Sequence, residues 1–232
     1  MVSGCESKTE FITMMVPYGS PQLTQLHIQD NPLYQVDIIQ GSDPLMVAFA
    51  SGSHDVIFAP VNLGAKLYQT GAPYVLLAVV TWGNLYLVSI DQSLEHIQDI
   101  ESQTIVAFGR NQPPDIVLRH ILTASSIETD LIYVDSVASA TAYLVSTPGS
   151  IVLVAEPSLS VLMAQYPQLH TLDLQSIYET IEGKSSYPQA AVFVKTNMDD
   201  PTKSRISSDL EQSINLVNDQ PEEAAVLAIR LG

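Results

Sequence analysis

From residue 11 to the end of the chain, short apolar runs alternate with stretches in which apolar positions recur every three or four residues. The first kind suits a buried strand and the second an amphipathic helix, so the chain reads as repeated strand, turn and helix units. Strands are predicted at 11–16, 34–40, 56–59, 74–80 and 85–89, then at 104–108, 131–134, 151–155 and 189–195. Helical segments are predicted through 28, over 44–52, 62–70, 113–125, 136–145 and 157–165, and in two pieces from 200 onward. Strands that lead again and again into helices imply an α/β protein, its sheets mostly parallel and flanked by helices.

The punctuation between units is specific. Ser42 and Asp43 can cap a helix with Pro44 at its first position, Gly52 and Gly71 stop helices, and Pro113 with Pro114 opens another. A polar stretch over 179–186 precedes the last strand, and Thr81, Trp82, Gly83 and Asn84 form a crossing between two sets of units. Tyr18, Ser20, Ser42, Asp43, Pro60, Asn62, Arg110, Asn111, Gln112, Ser136 and Glu156 all fall where an apolar strand gives way to a helix. In open α/β sheets those turns line the crevice where ligands bind, and helix N-termini there present unpaired N–H groups. Ser, Asp and Asn are also ordinary helix caps, so each taken singly has a bland reading. Glu156 is the exception, a poor cap delivered to the rim before Pro157. Trp82 is the lone tryptophan; it reads either as core or as a stacking wall beside Gly83, and Tyr18 and Tyr187 are weaker candidates of the same kind.

Composition narrows the chemistry. At 46% hydrophobic and 15% charged, 232 residues can fill a sizeable core, and no apolar run reaches the length of a membrane span. Nine Lys and Arg against 25 Asp and Glu give a net charge of −16, which repels phosphate backbones and excludes nucleic acid as an expected partner. No phosphate-binding loop, dinucleotide fingerprint, zinc-protease motif or nucleophile elbow is present, and the five histidines show no ligand spacing, so neither metal nor cofactor is expected. Ser53, His54 and Asp55 carry triad letters in a row, but triads assemble in space, and the stretch reads as a loop. The single cysteine, Cys5, allows no intramolecular disulfide. Val2-Ser3-Gly4-Cys5 resembles a bacterial lipobox, with residues 6–9 as a tether.

The residues also carry a resemblance. "GSHDVIFAPVNLGAKLYQTGAPYVLLAVV", "SIVLVAEPSLSVLMAQYP", "YPQAAVFVK" and the closing "LEQSINLVNDQPEEAAVLAIRLG" are similar to segments of the NMT1/THI5-like substrate-binding proteins of ABC importers. Two departures stand out: Pro148-Gly149-Ser150 replaces the family's Gly-x-Asp, and members carry further helices past the point that matches Gly232. The resemblance implies a two-lobe type II periplasmic-binding fold. Residues 1–9 would be the tether, 10–82 plus 190–232 the first lobe and 85–186 the second, with hinge crossings near 81–84 and 187–189. It implies a monomeric extracytoplasmic binding protein, lipid-anchored at Cys5, that clamps a small nutrient and delivers it to a permease and ATPase.

Family ligands include sulfonates, nitrate and thiamine-related pyrimidines. An anion normally calls for Arg or Lys, and of the rim positions only Arg110 supplies one, with Asp43, Asp115 and Glu156 close by in sequence terms. The expected ligand is therefore neutral or cationic and flat, a heteroaromatic. The alternative is an enzyme on the same fold, of the pyrimidine-synthase or menaquinone-pathway kind; the cysteine-rich motif of such synthases is missing here.

Overall fold

The structure, a computed structural model, describes residues 11–41 and 43–231; Cys5 and Ser42 lie outside them. In chain order the first elements are β1 (Ile12–Pro17), α1 (Ser20–Leu23), β2 (Tyr34–Ile39), α2 (Asp43–Ser51), β3 (Val56–Pro60), α3 (Val61–Gln69) and β4 (Tyr74–Trp82). Then come β5 (Leu85–Ser89), β6 (Thr104–Phe108), α4 (Pro113–Ala124), β7 (Asp130–Val134), α5 (Val137–Ser146), β8 (Ile151–Ala155), α6 (Ser158–Gln165), β9 (His170–Asp173) and α7 (Leu174–Glu182). The chain ends with β10 (Pro188–Lys195), α8 (Asp200–Asp219) and α9 (Pro221–Leu231). This is the expected α/β fold, with two sheets flanked by helices.

The chain divides into two units, one of Met1–Ala59, Leu63–Val80 and Ala190–Gly232, the other of Pro60–Asn62 and Thr81–Gln189. The first holds a five-stranded sheet in the order β2-β1-β3-β10-β4, with β1 parallel to both β2 and β3. Met14, Val16, Val56, Phe58, Val192 and Val194 point from one face onto Ile206 and Leu210 of α8. Elsewhere in this unit Phe49 of α2 meets Tyr74 and Phe193 edge-on, at ring separations of 5.0 and 5.5 Å. The ring of Phe193 presses so closely on α3 that a Cβ added at Gly64 would sit 2.0 Å from its Cζ. A glycine is the only residue this helix-to-sheet approach admits without repacking.

The second unit has the order β7-β6-β8-β5-β9. β6 runs parallel to β7 and β8, and β5 runs antiparallel to β8 and β9, so the sheet is mixed. Its central strands β6 and β8 read as apolar runs because both of their faces are covered. Leu85, Leu87, Ile105, Ala107, Ile151 and Leu153 pack against Leu118 and Ile121 of α4 and Leu174 of α7. Their neighbours Val88, Val106, Val152 and Val154 pack on the opposite face against Ala140, Leu144, Leu159 and Leu162 of α5 and α6.

Three expectations need correction. The segment after Ser20 is not one helix: α1 ends at Leu23 and a single 3-10 turn, Leu26–Ile28, follows. Thr81 and Trp82 are the end of β4 rather than part of a turn, because the left-handed pair Gly83 and Asn84 (φ 61° and 71°) does the turning alone. Half of the polar stretch over 179–186 is helix: α7 is capped by Asp173, whose carboxylate accepts the Gln175 N–H at 2.8 Å, and it stops at left-handed Gly183.

Candidate functional site

Register decides which turns can share a rim. Because β6, β7 and β8 are mutually parallel, the turns after them leave the sheet at one end, carrying residues 109–112, Ser136 and Glu156. β5 is antiparallel to β8 with Leu85 opposite Ala155, so the start of β5 lies at that same end. The Glu156 N–H donates to the Asn84 carbonyl at 3.2 Å and ties the two together. In the first unit the parallel β1, β2 and β3 likewise end together, with Tyr18, Ser20 and Asp43 in the turns at that end, while Pro60, the last residue of β3, already counts with the second unit.

The best-built piece of the second unit's rim is the turn 109–112. Gly109 and Asn111 are left-handed (φ 69° and 61°), and the Gln112 N–H closes the turn on the Gly109 carbonyl at 2.8 Å. Behind it sits Asp115, 0% exposed, in the first turn of α4. Its Oδ2 accepts the Asn111 N–H at 2.7 Å and Nη2 of Arg119 at 2.9 Å, and its Oδ1 accepts the Tyr133 hydroxyl at 2.5 Å. A buried carboxylate is tolerated only when paired and hydrogen-bonded, and here three donors share two oxygens. Burial, with the Asp115 hydrogen bond, pushes the Tyr133 phenol above its ordinary range. The Arg110 guanidinium lies over the Tyr133 ring, 5.1 Å from its centre.

Asn62 belongs to this neighbourhood. Of its two expected roles, capping its helix or facing a ligand, the first does not hold, because α3 begins at Val61 and Asn62 already stands inside the first turn. Its Nδ2 donates instead to the Asn111 carbonyl at 3.0 Å.

The remaining candidates divide. Trp82 is 54% exposed, so the core reading of the lone tryptophan does not hold. Tyr18 is 61% exposed. Gly83, whose Cβ would fall 2.7 Å from Gln175 Cγ, donates its N–H to the Tyr187 carbonyl at 3.0 Å. The Gln189 amide donates to the Gly83 carbonyl and to Asn84 Oδ1, stapling both crossings together. Tyr187 itself is a correction: it is 2% exposed, packs edge-on against Tyr178 at 5.0 Å and gives its hydroxyl to Gln175 at 2.8 Å, so it is core and offers no face to a ligand.

Ser136 behaves as the plain cap of α5, its Oγ accepting the Ser139 N–H at 3.1 Å. Glu156 proves a working cap after all: its Oε2 takes the Ser160 N–H at 3.1 Å and the Ser160 hydroxyl at 2.9 Å, because Pro157 at the cap position has no side-chain acceptor to offer. The Asp115 network went unnoticed in the sequence, where Asp115 looks like any first-turn acid; the Asp(i)–Arg(i+4) spacing to Arg119 was the available signal. Among the described residues no cluster of His, Cys, Asp and Glu could hold a metal, and no helix is long and apolar enough to cross a membrane.

Ser53 and His54 do enter a relay, but with Asp37 rather than Asp55. Ser53 Oγ lies 2.8 Å from His54 Nδ1, and His54 Nε2 lies 3.0 Å from Asp37. Asp55 turns the other way, onto the Thr13 N–H at 3.0 Å and the Lys195 ammonium at 3.0 Å.

No protein-family model matches the chain, and no curated protein matches it in sequence. Solved structures do match in fold. An ABC transporter structure from Parabacteroides distasonis has a TM-score of 0.79 at 21% identity over 94% of this chain and 77% of that one. The aliphatic sulphonate binding protein SsuA from Escherichia coli gives 0.74 at 14% identity, over 94% and 73%. The alkanesulfonate-binding protein SsuA from Xanthomonas axonopodis, bound to MOPS, gives 0.70 at 16% identity, over 96% and 80%. At these identities the likeness establishes the fold.

Proposed function

We propose that this chain is the solute-binding component of an ABC importer, of the NMT1/THI5-like kind, and that it captures a small organic nutrient without transforming it. The observation that carries the reading is the half-exposed Trp82 beside Gly83 and Asn84, on the rim that also bears Glu156 and the turn 109–112. An exposed indole next to a glycine that opens the backbone is a stacking surface for a flat solute, and a ring of strand-end turns is where such folds take ligands. The fold shared with sulfonate-binding proteins of importers supports the same reading.

On this reading Tyr18, Ser20, Asp43, Pro60, Asn62, Asn84, Arg110, Asn111 and Gln112 are the contact set, and 81–84 with 187–189 form the hinge. The protein works outside the cytoplasm as a monomer, hands its solute to a permease and ATPase, and is anchored through lipid on Cys5. Melting-temperature screening against thiamine precursors, sulfonates, nitrate and flavins tests the core of it. A ligand that binds raises the transition; a panel without a single shift, from a protein that instead turns over a substrate, sinks it. Mass spectrometry of the chain from its native membrane tests the anchor, which an unmodified Cys5 would remove.

A further inference from the structure

Apart from the Arg110 guanidinium, which lies over the Tyr133 ring, the turn 109–112 and the start of α4 offer few backbone donors and two unpaired acceptors, and this names the chemistry of the solute. Helix N-termini attract anions by offering backbone N–H groups in their first turn. At α4 the first turn is occupied by prolines. Pro113 and Pro114 open α4, so two of its first-turn amides do not exist, and Pro157 stands at the cap of α6. Within the turn the Asn111 N–H is spent on Asp115 and the Gln112 N–H on the Gly109 carbonyl.

Against that deficit stand two shielded side-chain oxygens with nothing to accept from: Asn62 Oδ1 and Gln112 Oε1. The Asn62 amide is oriented by its own bond, since Nδ2 must face the Asn111 carbonyl at 3.0 Å, and this leaves the oxygen as the unpaired end. The same bond places Asn62 one residue from Gln112. Gln112 holds the cap position of α4 but makes no side-chain capping bond, as expected when two prolines follow it. A buried polar oxygen without a donor costs about 1–3 kcal/mol, so two neighbours left unpaired on a binding rim are a specification for what arrives.

We propose that the solute is a hydrogen-bond donor, a small molecule carrying N–H groups such as a protonated amine, an amidine or an amino-substituted heterocycle, held by Asn62 Oδ1 and Gln112 Oε1, and that sulfonates and nitrate are not its ligands. This rests on the solute-binding reading above and sets the chain apart in ligand class from the sulfonate-binding proteins that share its fold.

The test is calorimetric titration and melting of the full chain with two matched probe sets: aminopyrimidines, benzamidine and alkyl diamines against benzenesulfonate, ethanesulfonate and nitrate. Donor probes are expected to bind and the anions not. Gln112→Leu is expected to weaken the best donor probe by about tenfold, the equivalent of one good hydrogen bond. If Gln112→Leu does not fold, Gln112→Glu serves: it keeps the acceptor, adds a charge, and is expected to tighten benzamidine several-fold. Binding of the anions in place of the donors, or donor binding indifferent to both variants, overturns the inference while leaving a solute-binding protein. A panel in which nothing binds overturns the solute-binding reading itself, and this inference with it.

Discussion

Replacing Asp115 by Asn tests whether a buried carboxylate builds the turn 109–112. The side chain keeps its volume, so packing against Leu118 and the rest of the core is unchanged and the loss is electrostatic. Three donors converge on the carboxylate, from Asn111, Arg119 and Tyr133. Hydrogen bonds to a charged group contribute about 1.5–3 kcal/mol and neutral ones about 0.5–1.5, so each bond loses about 1 kcal/mol and the set about 3. Arg119 is half exposed and recovers water, which trims its share. In a chain of this length about 2–4 °C of melting temperature follows each kcal/mol, so calorimetry should record a fall of about 6–12 °C. Tyr133→Phe, which removes one donor, should lower it by about a third as much. A fall under about 2 °C for Asp115→Asn, with Tyr133→Phe equal to it, would refute the reasoning: the carboxylate would then be a passenger and the turn would hold itself.

Other outcomes follow from single contacts. Gly64→Ala would drive a methyl into the Phe193 ring; overpacking costs about 1–3 kcal/mol against about 1 regained in helix propensity, so a lower urea midpoint is expected despite the better helix former. Burial alone would raise the Asp55 carboxyl, but the Thr13 N–H, the Lys195 ammonium and the Thr13 hydroxyl outweigh it and hold it below the ordinary aspartate value. Its contribution is therefore present above pH about 4 and lost as pH falls through the lowered value, and Asp55→Asn should flatten the acid limb of a stability profile. Burial pushes the Tyr74 phenol up to about 12, so its contribution to stability should fall away as pH climbs from about 10 towards that value, and Tyr74→Phe should make the alkaline loss shallower, the other buried tyrosines keeping their shares. Trp82 is the lone tryptophan and half exposed, so emission should be red-shifted in the free protein and should move to the blue on binding; emission unchanged by a ligand that calorimetry detects would take Trp82 out of the site.

Much of the fold was readable because both faces of the central strands are covered: 105–108 and 151–155 are unbroken apolar runs, and that continuity marks a buried strand in one sequence alone. α7 was missed although Leu174, Ile177, Tyr178 and Ile181 keep helical spacing, because its exposed residues merge with the polar residues after it and β9 abuts it without a turn. At the rim, local chemistry was legible and side-chain direction was not. Ser136 turned out to cap and Tyr187 to pack, while the Asn111 partner of Asn62 and the Tyr133 partner of Asp115 lie 49 and 18 residues away, a distance no local pattern reports.

The sheet order β2-β1-β3-β10-β4 carries a consequence for how the chain is made. β10, from Pro188 to Lys195, fills the middle of the first sheet, between β3 and β4, which were synthesised more than a hundred residues earlier. On the ribosome the second unit, almost wholly the continuous stretch from Thr81 to Gln189, can complete its sheet while the first waits with a gap at its centre. During that wait the inner edges of β3 and β4 present open backbone and buried-type side chains such as Phe58 and Tyr74, and they close only when the last fifth of the chain emerges. Nascent chains stalled before residue 188 should therefore engage holdase chaperones, and emergence of β10 should end it.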